Sequence, residues 1–160
     1  MKMTPRLLTS IFFLAWFGLG NSLVFATQAN TTKMSEIVSV NDAWARETFK
    51  FARTGAAYLS ITNHSESNVA VLSSVEVDES VASMVELHET FVNDEVMSME
   101  EIEDGIEIAP NSTVQLAPGG KHLMFMGLSE PFTNGQNFEA KLHFEDSSSL
   151  TISIPVKDAR

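Results

Sequence analysis

The 160-residue chain contains no cysteine, a single tyrosine, two tryptophans and only ten lysines and arginines. Without a thiol there can be no disulfide scaffold, zinc ribbon, iron–sulfur cluster, thiol catalysis or blue-copper electron transfer. A lipid attachment site of the lipoprotein type is excluded for the same reason. Ten basic residues stand against 21 acidic ones, for a net charge of −11. The clustered cations that grip a nucleic-acid backbone are therefore missing, and no nucleic-acid partner is expected. Neither a G-x-S-x-G nucleophile motif nor a His-Glu-x-x-His zinc motif occurs, so the chain does not read as an enzyme. Metal chemistry, if present, must use histidine, methionine or carboxylates. With 44% hydrophobic residues, the chain is long and apolar enough for one globular domain and not for wholesale disorder.

The first 29 residues read as a secretory signal peptide. Lys2 and Arg6 precede an uncharged run over residues 7–25, which ends in Ala26-Thr27-Gln28-Ala29. Cleavage is expected after Ala26 or Ala29. The run approaches the ~20 residues of a membrane span, but Gly18, Gly20, Asn21 and Ser22 weaken its second half. No stable span is expected after cleavage. Loss of Lys2 and Arg6 leaves eight basic residues against 21 acidic ones, a mature charge of −13. An exported, periplasmic protein follows as the expectation.

Residues 30–36 are polar and read as a flexible leader, ahead of a single domain over 37–158. Short β-type runs recur at 57–62, 69–77, 84–92, 96–99, 106–108, 113–116, 121–128, 137–144 and 150–156, separated by turn residues such as Pro118-Gly119-Gly120. No segment sustains a 3.6-residue apolar period over three turns. Many short strands with regular turn signals predict an all-β antiparallel sandwich or barrel.

Four histidines and six methionines beyond the signal segment carry the unusual chemistry. In His122-Leu123-Met124-Phe125-Met126, strand alternation puts His122, Met124 and Met126 on one face and Leu123 and Phe125 on the other. His88 lies outward if Leu87 points to the core, and Met97 and Met99 follow across the Asn93-Asp94 turn. Imidazole and thioether are neutral donors, poor for calcium or magnesium and suited to soft Cu(I). The same residues are also compatible with packing, since methionine commonly fills core gaps. Met84 and Met126 read as core, Met34 as leader, and His64 and His143 as ordinary polar positions.

At these residues the chain resembles the periplasmic copper-A chaperone family (PCuAC). Its signature is a histidine, ten residues, a methionine, about 21 more, then His-x-Met. Here ten residues separate His88 from Met99, 22 separate Met99 from His122, and Met124 completes the pattern. Trp44-Ala45-Arg46, Gly55-Ala56-Ala57-Tyr58, Glu86-Leu87-His88-Glu89-Thr90 and the segment from Pro118 to Met124 also resemble the family, over roughly residues 38–156. The resemblance implies a cupredoxin-like Greek-key β-sandwich and a Cu(I) site of His88, Met99, His122 and Met124. It further implies delivery of copper to the copper centre of cytochrome c oxidase. The acceptor would be an oxidase subunit or a thiol-bearing assembly protein, and the chaperone a monomer. Glu89 stands where some members carry an optional methionine. The chain ends in Pro155-Val156-Lys157-Asp158-Ala159-Arg160, without the His- and Met-rich tail that takes Cu(II) in many members, so a second copper site is not expected. Copper buffering or resistance, or a non-metal interaction module, are the competing readings of the same chain.

Overall fold

A computed structural model describes residues 33–93 and 96–158. Residues 1–29, read from sequence as a signal peptide, and residues 30–32 of the expected leader lie outside the described residues. A single helical turn, α1 (Met34–Ile37), leads into ten strands: β1 (Val38–Arg46), β2 (Thr54–Asn63), β3 (Ala70–Val77), β4 (Ala82–Asn93), β5 (Val96–Glu101), β6 (Ile106–Ile108), β7 (Ser112–Leu116), β8 (Lys121–Leu128), β9 (Asn137–Phe144) and β10 (Ser149–Lys157). The all-β expectation is met.

The strands follow one hydrogen-bonded path, β5-β4-β8-β2-β1-β10-β9-β3-β6, with β7 also pairing β2. β8 lies between β4 and β2, and β9 between β3 and β10, the non-sequential neighbours of Greek-key connections. All pairings are antiparallel except β1 with β10, a parallel contact of two register positions, Ala45 to Val156 and Arg46 to Lys157. At this short join the path turns, and its two halves share one core. Phe125 of β8 meets Phe138 of β9 edge-on at 5.5 Å, and Phe132 stacks on Phe138 at 4.9 Å. Leu59, Ile61, Leu72, Leu87, Leu123, Phe125, Leu142 and Ile154 are buried in that core.

β1 was not among the runs read from sequence. Val38 and Val40 alternate correctly, but Asn41-Asp42 breaks the pattern. The register of β1 on β2 shifts between Asn41 and Trp44, and Asp42 has a φ of 53°. Asp and Asn are the side chains that best tolerate this left-handed conformation, so the polar pair marks a bulge inside a strand and not its end.

Buried Asn63, at the end of β2, closes the sheet to the following loop. Its Nδ2 donates to the Asn68 and Ile108 carbonyls at 2.8 and 3.0 Å, and its Oδ1 accepts from the Ser65 N–H at 2.9 Å. Asn63→Ala leaves these groups without their partner, and a loss of about 2–3 kcal/mol is expected. Urea unfolding followed by tryptophan fluorescence measures it. A loss below about 0.5 kcal/mol would show that the three bonds contribute no net stability.

Candidate metal centre

The site is built on the outer face of β4, β8 and β5. On β8, Leu123 and Phe125 go to the core, so His122, Met124 and Met126 point away from it. On β4, buried Leu87 fixes Met84, Glu86, His88 and Thr90 on the same outer face. The antiparallel register then places His88 directly opposite His122, Glu86 opposite Met124 and Met84 opposite Met126. Across the β4–β5 hairpin, Met99 stands opposite Thr90 and Met97 opposite Val92. Thus His88 and Met99 come from two arms of one hairpin, and His122 and Met124 from the neighbouring strand.

His122 is held firmly. It is 6% exposed, and its Nδ1–H donates to the Gly120 carbonyl at 3.0 Å. That carbonyl also accepts the Thr90 backbone N–H at 3.2 Å. The bond leaves Nε2 of His122 as the lone-pair nitrogen. The turn preceding it diverts the chain between two ladders on β2, since Leu59 pairs with Leu116 and Ala57 with Leu123. Gly119 adopts a φ of +80°, which a residue with a Cβ resists. Opposite this excursion, the Tyr58 ring lies 4.8 Å from Trp44 and 6.5 Å from His122, tilted by 45° and 48° to them. The Arg46 guanidinium lies 6.0 Å from the Tyr58 ring centre. Tyr58 thus borders the His122 ring on one side.

His88 is oriented from the other side. Its Nε2 lies 2.8 Å from a Glu86 carboxylate oxygen. A carboxylate accepts, so Nε2 carries the hydrogen and Nδ1 the lone pair. That Nδ1 is buried and lacks a hydrogen-bond partner, a condition that costs free energy unless something else binds it. The two rings have centroids 5.9 Å apart at 50°. An imidazole nitrogen binds a first-row ion at about 2.0–2.1 Å, so two rings sharing one ion have centroids within roughly 6.4 Å of each other. The observed separation meets that limit.

Met99, His122 and Met124 line an open groove of about 350 Å³, together with Tyr58, Thr90 and Phe49. Met99 is 57% exposed. Among the described residues, no three histidines, aspartates or glutamates are grouped to hold a metal ion, so a metal here depends on two imidazoles supplemented by thioethers. His64 is engaged elsewhere by Ser39 Oγ at 2.7 Å, and His143 by Glu76 at 3.0 Å. The expectation that Met84 and Met126 belong to the core is corrected. Met84 is 52% exposed and both lie on the outer face, because core-facing positions are taken by Val85 and Phe125. Sequence reading also passed over Glu86 as a partner of the site. Its two-residue offset from His88 on one strand was the available signal. No helix among the described residues is long and apolar enough to cross a membrane.

Several solved structures share this fold. The copper-bound PCuAC domain from PmoF2 superposes with a TM-score of 0.62 at 23% identity, covering 76% of this chain and 93% of that domain. The apo-DR1885 solution structure from Deinococcus radiodurans gives 0.58 at 23% identity, covering 99% and 97%. A curated protein of Leifsonia xyli subsp. xyli, described as "Putative lipoprotein Lxx21020", is 36% identical over 128 residues, 79% of this chain and 73% of its own. The sequence profile described as "Putative lipoprotein LpqE-like" matches residues 38–156, from the first residue of β1 to the penultimate residue of β10, and the chain therefore belongs to the LpqE-like family.

Proposed function

We propose that this protein is an exported Cu(I) chaperone, with His88, Met99, His122 and Met124 as the ligands of its cargo. The observation that carries the reading is the pairing of His88 and His122 across β4 and β8, with a buried, unpartnered Nδ1 on His88. Two imidazole nitrogens and two thioethers are a neutral, partly soft donor set that suits Cu(I) and not hard cations. The fold shared with a copper-bound PCuAC domain supports the same conclusion. The family description supports export. No acyl-bearing thiol exists in these 160 residues, so lipid anchoring through cysteine plays no part in the reading.

The geometry also explains release. Thioethers bind Cu(I) more weakly than thiolates and cannot form disulfides in an oxidising compartment. Exposed Met99 leaves one side of the ion open, so an incoming thiolate can add before the last imidazole leaves. The acceptor in this reading is the copper centre of cytochrome c oxidase, reached directly or through a thiol-bearing assembly protein. The protein has no substrate-converting role; it holds and passes an ion. Deleting the gene and measuring copper in the oxidase tests delivery: a fall in oxidase copper is expected, and an unchanged content would overturn delivery in favour of buffering.

Binding itself is tested by anaerobic titration of Cu(I) against a chromophoric chelator. One ion per chain is expected to be withdrawn tightly from the chelator, and retention of all copper by the chelator would overturn the proposal. Glu86 orients the His88 ring through its 2.8 Å contact with Nε2, as carboxylate partners of metal-bound histidines do. Glu86→Ala is expected to weaken Cu(I) binding by about 10–100-fold. The same titration reads it, and unaltered affinity would show that the carboxylate is incidental.

A further inference from the structure

We propose that Met84 and Met126 form a second soft-ion site on the same face, a thioether pair that takes Cu(I) or Ag(I) separately from the two-histidine centre. The two residues are directly opposite each other on β4 and β8, and Thr54 of β2 flanks Met126 on the far side. Directly opposed side chains have Cβ atoms about 4.5–5.5 Å apart. Each methionine has three rotatable bonds beyond its backbone, enough for both sulfurs to converge on one ion.

Core packing does not call for methionine at Met84, and Met126 is half-buried on the outer face. Met84 is 52% exposed, and Met126 lies on the face opposite the phenylalanine core. At exposed strand positions the residues that fit best are β-branched or aromatic. A pair of thioethers instead places two soft donors side by side, with no ionised group between them. Glu86, the carboxylate one row along β4, is already engaged by His88.

The pair is a separate site on distance. Along β4 and β8 the rows run Met84–Met126, Glu86–Met124, His88–His122. Four residues of strand span about 13 Å, too far for Met84 or Met126 to reach an ion held between the two histidines. Met124 occupies the intermediate row, about 7 Å from either end. An ion on the methionine pair therefore has a thioether within one side-chain length on its way to the histidines. With fewer donors, the pair binds more weakly than the main centre and fills after it.

This proposal does not depend on the chaperone reading, and the test separates them. The full chain, with methionine methyls labelled with carbon-13, is titrated with Ag(I), a soft ion that needs no reductant. Each methyl is assigned by its loss in a Met→Leu variant. The Met99 and Met124 methyls are expected to shift first, and those of Met84 and Met126 together at higher Ag(I). Exposed Met97, which has no opposed methionine, serves as the control and is expected to lag behind both. The double variant Met84→Leu/Met126→Leu, conservative in volume, should lose the second step and keep the first. The double variant His88→Ala/His122→Ala should lose the first and keep the second. A second step without a first would uphold the pair and overturn the chaperone reading. Met84 and Met126 methyls that stay fixed in excess Ag(I), or move only together with Met97, would overturn the pair.

Discussion

Replacing His122 with alanine is expected to lower Cu(I) affinity by more than the ~10–100-fold that loss of an outer partner costs, while the fold survives. His122 is nearly inaccessible to solvent yet lies on the outer face, outside the hydrophobic cluster formed by Leu123, Phe125 and their neighbours. Truncation removes the proposed ligand and one side-chain hydrogen bond, to the Gly120 carbonyl. That carbonyl keeps the Thr90 N–H, so no acceptor is stranded. The core retains its volume, and the circular dichroism spectrum should not change. Copper binding, in contrast, loses a nitrogen whose orientation is fixed by Tyr58 and Gly120 before the ion arrives. Chelator competition measures the affinity. Wild-type binding by the alanine variant would remove His122 from the ligand set.

The second large effect distinguishes two methionines that sequence alone leaves close together. Met97 and Met99 share a face of β5, but their partners on β4 differ: Met99 stands opposite Thr90, one row from His88, and Met97 opposite Val92, a row further out. Only Met99 lines the groove that contains His122 and Met124. Met99→Leu is therefore expected to weaken Cu(I) binding by about tenfold or more, equivalent to roughly 1.4 kcal/mol, and Met97→Leu by little. Both positions are exposed on an edge strand, so neither substitution should disturb stability. The reverse order of effects would transfer the ligand role to Met97.

Much of this arrangement is legible in the chain, because a period of two decides which side chains share a face. His122, Met124 and Met126 are visibly separated from Leu123 and Phe125, and Leu87 alone predicts that His88 faces outward. Spacing cannot provide the register between β4 and β8. That His88 is level with His122, and not with Met124, follows from hydrogen bonds between strands that are 27 residues of chain apart. A two-residue shift would preserve every facing and dissolve the pair. The resemblance to PCuAC compensated for that gap by linking the four positions without any geometry. The misreading of Met84 and Met126 has a related cause. Hydrophobicity suggested burial, but parity along the strand had already assigned the interior to Val85 and Phe125. β1 escaped notice because a bulge at Asn41 and Asp42 interrupts its alternation.

The most direct measurement is X-ray absorption at the copper edge of the protein loaded with one equivalent of Cu(I). Two nitrogen and two sulfur neighbours are predicted, with one sulfur lost in Met99→Leu and one nitrogen in His122→Ala. A shell made only of nitrogen and oxygen, or one unchanged by both substitutions, would contradict the site.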